Sequence, residues 1–218
     1  ADVTISVTDA TGSIDATDLS VIGGSTSGTV TVSNAQTISG TSAEVTAALV
    51  TSGTQVVLGA ASTVTVSDAT AVSTAGTLAG VTNATVGFTN GITGTVATLV
   101  DSGAAHADLT AVVSDDADVT ISVTDATGSI DATDLSVIGG STSGAVTVAN
   151  AQTISGTAAE VTAALVTSGT QVVLGAASTV TVSDATAVST AGALASVTNA
   201  TVGFTNGITG TVATLVDS

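Results

Sequence analysis

Lysine and arginine are both absent from this chain of 218 residues, and so are cysteine, proline, methionine, tryptophan and tyrosine. Each absence closes a class of function or architecture. Without Lys or Arg, nothing can neutralise a phosphate backbone, which excludes nucleic acid as a partner. The same lack disfavours adsorption to an anionic membrane surface and removes the Glu–Lys pairs that support exposed helices. Without Cys there is neither a disulfide framework nor a thiolate metal site. The only aromatic residues are Phe88 and Phe204, so a core must be built from Val, Ile, Leu and Ala, and such side chains fill a thin core. A chain without basic residues also offers trypsin nothing to cut. No apolar run approaches the roughly 18–20 residues of a membrane-spanning helix, so membrane insertion is not expected.

What is present is acidic and apolar at once. Asp and Glu together number 17 and the formal net charge is -17, yet charged residues make up only 8% of the chain and hydrophobic ones 44%. Disordered acidic segments are poor in aliphatic residues; this chain is rich in them, with a mean hydropathy of +0.66.

The sequence also repeats. Residues 1–102 return as residues 117–218, and five positions differ: Thr29 becomes Ala145, Ser33 Ala149, Ser42 Ala158, Thr77 Ala193 and Gly80 Ser196. All five exchange one small residue for another. Residues 103–116 stand between the copies, which gives a first repeat unit of 1–116 and a second of 117–218. The expectation is a window of a longer tandem array. An array offers the same surface many times, which suits a material or a stalk better than an enzyme with one specialised site.

Within each unit, Val or Ile alternates with Thr or Ser at residues 3–10, 30–35, 64–69 and, in degenerate form, 84–90. A period of two in β-branched residues predicts strands with one buried face, with Val3, Ile5 and Val7 inward and Thr4, Ser6 and Thr8 outward. A second kind of segment follows each strand, at residues 14–24, 38–53, 72–83 and 92–103. The clearest carries Thr41-Ser42-Ala43-Glu44, which has the form of a capping box. It predicts a helix over 41–52 that buries Val45, Ala48 and Leu49 (Leu165 in the second copy) and stops at Gly53. The other segments read as weaker helical turns, because Thr and Val are poor helix formers.

Four such modules in 116 residues, about 29 each, fall within the range of solenoid repeats. The predicted fold is therefore mainly β, a parallel β-solenoid with short helical turns and right-handed crossovers. The alternative is a string of β-sandwich domains, which expects hairpins and no helix caps.

The strings V-T-[VI]-S-x-[AT] followed by [IV]-S-G-T-x-x-x-V-x-x-A-L occur at residues 30–33 with 38–49 and at 146–149 with 154–165. In this the chain resembles the tandem repeats of very large bacterial cell-surface proteins of marine and cyanobacterial type. The resemblance implies an extracellular, adhesive or filament-forming structural protein, self-associating through neighbouring repeats or chains. It also implies an alternative: the stalk of a giant calcium-dependent adhesin whose glycan- or cell-binding domain lies outside these residues. The GGxGxDxUx nonapeptides of calcium-binding toxin arrays are not matched, since Gly23-Gly24 and Gly139-Gly140 are each followed by Ser-Thr-Ser.

Candidate chemistry is sparse. His106, the only histidine, lies near Asp108 in sequence, but no G-x-S-x-G elbow supplies a nucleophile, and an exposed loop histidine is the expectation. Asp115, Asp116 and Asp118 cluster at the junction between the copies and are the candidate ligands for Ca2+, a hard cation that takes about six to eight oxygens. The competing reading of the aspartates is as helix caps and turn residues. Thr-x-Thr at residues 29–31, 63–65 and 179–181 would present outward hydroxyls that could order water, although Ala145 breaks the pattern in the second copy. Asn83-Ala84-Thr85 and Asn199-Ala200-Thr201 match the glycosylation triplet.

Overall fold

The computed structural model describes residues 2–51, 55–167 and 171–216. They form two compact units, Ala1–Ile92 with Ala107–Val119, and Thr93–His106 with Thr120–Ser218.

In the first unit, two parallel sheets grow side by side as the chain advances. One contains Ile5–Val7, Val30–Val32 and Val56–Val57 in that order. The other contains Ser13–Asp15, Thr37–Gly40, Ser62–Val66 and Ala84–Phe88. Helices Ala16–Gly24, Ser42–Leu49 and Val72–Ala79 each follow a strand, and Ala107–Asp115 packs against the last of them. Strands pair in register, so Ile14, Ile38, Val64 and Val86 form one inward column. Ile38, Val64 and Val86 are almost fully buried, and the helices meet them with Leu19, Val45, Ala75 and Leu78. Such stacking lets each layer bury an apolar face that it could not bury alone.

The second unit repeats this plan. Ile121–Val123, Val146–Val148 and Val172–Val173 pair in parallel, as do Ser129–Asp131, Thr153–Gly156, Ser178–Val182 and Ala200–Phe204. Its helices are Val96–Leu99, Ala132–Ser141, Ala158–Leu165, Val188–Ala195 and Val212–Val216. The described pairings are parallel with one exception, the short antiparallel pair Val100–Asp101 and Ala104–Ala105. The hairpin-connected sandwiches weighed above expect antiparallel sheets instead.

Two expectations need correction. The protein is α/β, with several parallel sheets and alternating helices, where composition pointed to a mainly β chain. Thr and Val do weaken intrinsic helicity, but most helix stability comes from packing an apolar face. Each module also holds at least two strands. The alternating segments at residues 3–10 and 30–35 fall in one sheet, whereas those at 64–69 and 84–90 fall in the other. Ser13–Asp15 and Thr37–Gly40, each read as the start of a helical segment, are strands of that second sheet. Alternation reports that one face is buried; it does not say which strand lies alongside.

The capping box is present. Thr41 Oγ1 accepts from Glu44 N at 3.4 Å, and Glu44 Oε2 accepts from Thr41 N at 2.8 Å. The helix it opens runs Ser42–Leu49 and buries Val45 and Ala48; Leu49 and Leu165 are only half-buried. Gly53, the expected stop, lies outside the described residues. Among the described residues no helix is long and apolar enough to cross a membrane.

Candidate functional site

In a chain with no Lys or Arg, backbone N–H groups are the donors that can compensate carboxylates, and helix starts and sheet edges are where such groups lie unpaired. The structure puts acidic side chains at both. Asp15 accepts from Thr17 N at 2.8 Å at the start of Ala16–Gly24, and Asp131 does the same from Thr133 N. Asp68 reaches back one layer to cap Ser42–Leu49, taking Ser42 N at 2.6 Å and Ser42 Oγ at 2.9 Å. Asp184 takes Ala158 N at 2.7 Å, and Asp125 takes Val96 N at 2.8 Å. Negative charge at a helix N-terminus is stabilising, and capping side chains typically contribute about 1 kcal/mol.

The junction aspartates serve a sheet edge. Ala84–Phe88 is the last strand of its sheet, and the N–H groups of Val86 and Phe88 point away from the neighbouring strand. Asp115 Oδ2 accepts from Val86 N at 3.0 Å and Asp116 Oδ2 from Phe88 N at 2.7 Å. Two carboxylates thus stand where a further strand's carbonyls would pair. Asp118 is exposed beside Asp116. Among the described residues no group of three or more His, Cys, Asp or Glu side chains is disposed to hold a metal ion.

Partial burial pushes the Asp116 carboxyl above its ordinary value, helped by the neighbouring Asp118 and Asp115 and opposed by the Phe88 amide. A raised carboxyl favours the folded state most when protonated. Its contribution is fully present below the unfolded value and is lost as pH rises through the folded one. Glu44 acts in the opposite sense: hydrogen bonds from the Thr41 amide and hydroxyl hold it below its ordinary value, so its contribution is lost as pH falls. Asp116→Asn keeps an oxygen for Phe88 N and removes the charge. It is expected to raise the melting temperature at pH 7, with the gain over the parent shrinking as pH falls through the raised value and gone below about 4. Thermal melts across that range check this; a variant less stable than the parent at pH 7 would refute it.

Side-chain amides tie the layers together, and sequence reasoning passed over them. Gln36 is buried; its Oε1 accepts from Gly12 N at 2.9 Å, and its Nε2 donates to Asp9 O at 3.1 Å and Ala10 O at 2.9 Å. Gln152 makes the same three bonds in the second unit. Asn34, Asn83 and Asn90 donate across layers to Asp9 O, Leu58 O and Ser67 O. Asn83, first residue of a glycosylation triplet, is thereby engaged and holds a positive φ of 66°. The recurrence of Gln36 as Gln152, two of the four Gln residues of the chain, was the available signal.

Outward hydroxyls form short ladders. Ser13, Thr37, Thr63 and Thr85 lie in one register column, with Thr37 and Thr63 hydroxyls 3.0 Å apart. Thr153 and Thr179 repeat the contact at 2.9 Å. Ser6 and Ser33 bond at 2.9 Å on the other sheet, a link that Ala149 removes from the second copy. Thr29 and Thr31, taken with residues 63–65 as one kind of surface, belong with that other sheet, so the Thr-x-Thr motifs do not share one plane. His106 is half-buried, and its backbone N donates to Leu99 O at 2.8 Å. The open cleft between Leu49, Val56, Leu58 and Val81 is lined by no titratable side chain, nor is its counterpart at Leu165, Val172 and Leu174, whereas a third, at Thr162 and Thr190, has Asp184 on its wall.

Comparison with protein-family models, characterised proteins and solved structures returns no match.

Proposed function

We propose that this chain is a structural repeat protein of the extracellular space, a parallel solenoid that builds a rod, fibre or surface layer by self-association. The observation that carries the reading is the layer-by-layer economy of the units. Successive layers share one inward aliphatic column and one outward hydroxyl column, side-chain amides tie the first layer to the second and the third to the fourth, and the copies reproduce these at equivalent positions. Side chains are spent on stacking rather than on converging around a pocket. The dispersed carboxylates, satisfied by backbone amides, keep the polar surface hydrated without needing a basic partner.

Electron microscopy of negatively stained protein, with sedimentation velocity on the same sample, tests this. Elongated particles that lengthen with concentration are the expected result. Compact monomers at every concentration and salt would overturn it.

A further inference from the structure

We propose that the face formed by helix Val188–Ala195 and strand Ala200–Phe204 is a docking seat for a helix of the kind found at residues 107–116, carried by a further repeat. This rests on the array reading above. Within the first unit, the same face, formed by Val72–Ala79 and Ala84–Phe88, is covered by Ala107–Asp115. Leu109 and Val112 of that helix are fully buried, and Asp115 and Asp116 take the two edge amides. Val72, Val86 and Phe88 are buried there, whereas their counterparts Val188, Val202 and Phe204 are only half-buried.

Glycine marks the seat independently. Gly76 sits mid-helix, where glycine is disfavoured relative to alanine. A Cβ on it would meet Asp108 Cβ at 2.5 Å and Asp108 Cα at 2.7 Å, so only glycine admits the covering helix. Gly192 occupies the same place in Val188–Ala195, is exposed, and has nothing within 4 Å of a built Cβ. Its conformational cost is incurred in the second unit without the close approach that explains it in the first. The required occupant is correspondingly specific: an amphipathic helix, apolar where Leu109 and Val112 lie, with an aspartate of its first turn pressed against the glycine, as Asp108 is on Gly76, and paired aspartates at its end. Those aspartates would accept from Val202 N and Phe204 N, the amides equivalent to Val86 and Phe88. The strand edge would then be closed against unspecific pairing by the same device in both units.

The test uses the full chain with the sequence of residues 103–119 appended after Ser218. Amide exchange at Val202 and Phe204 should slow roughly tenfold or more relative to the parent, towards the behaviour of Val86 and Phe88. Gly192→Leu, harmless to an exposed helix position, should abolish the slowing. Replacing the two paired aspartates of the appended segment by Ala should reverse it at those two amides. Unchanged exchange in the extended chain, or slowing that survives Gly192→Leu, would overturn the proposal. If exchange is unchanged while the parent still forms elongated assemblies, the seat fails and the structural reading stands. If the amides slow as expected in a protein that stays monomeric, the seat stands and the fibre reading fails.

Discussion

Leu19→Ala is expected to cost roughly 2–5 kcal/mol of unfolding free energy, the range for a large-to-small change at a fully packed core site. Leu19 has no exposed surface; it sits in Ala16–Gly24, between the strands and the neighbouring helix Ser42–Leu49. Few bulky groups are available to relax into the space, since the core of this chain is built mainly from Val, Ile, Leu and Ala. Leu49→Ala should cost less than about 2 kcal/mol, because that side chain is half in water and little cavity remains once it is cut back. Urea denaturation of the two variants against the parent gives the comparison. In a layered protein the Leu19 loss can appear as local opening, so exchange rates of the Ala16–Gly24 amides should be followed in parallel. Equal costs at the two positions would mean that the helix faces are wrongly assigned.

Gln36→Ala is expected to be the most damaging polar substitution, at about 2–3 kcal/mol. It strips the partner from Gly12 N, Asp9 O and Ala10 O together. A buried polar group left without a partner costs about 1–3 kcal/mol, and water can reach part of this loop, which holds the total below the full sum. Gln36→Glu should be no better, because a carboxylate offers the two carbonyls no donor and faces them with like charge. Gln152→Ala should cost about as much, since its bonds are the same. Denaturation of the variants checks this; a Gln36→Ala loss below about 0.5 kcal/mol would show that the tie is incidental.

Much of the fold was legible where local physics is decisive. Thr41 and Glu44 announce a helix start because both halves of a capping box lie within four residues. The Val/Thr alternation announces strands because a side chain's face depends only on its parity. Which strand lies beside which was not legible. Val30–Val32 and Ser62–Val66 look alike in sequence yet lie in different sheets, since pairing is settled by where the intervening helix returns the chain. The depth of Leu49 was missed for a related reason. Helical periodicity placed it beside Val45 and Ala48, but burial depends on what the neighbouring layer presents.

The aspartates divide in the same way. Asp15 as a cap is a local matter, with donor and acceptor two residues apart, and so lay within reach of the sequence, which offered caps as one reading of the aspartates. The repeat, the absence of any basic partner and the reliance on an aliphatic core were determined by the sequence alone. Only tertiary structure decided that Asp115 and Asp116 close a strand edge, 29 and 28 residues from the amides they accept. It likewise decided that Gln36 ties neighbouring layers and that Gly76 admits a covering helix, whereas Gly192 has open space before it. Hydrogen bonds and close packing between residues distant in sequence depend on the path of the chain between them, and no local pattern carries that path.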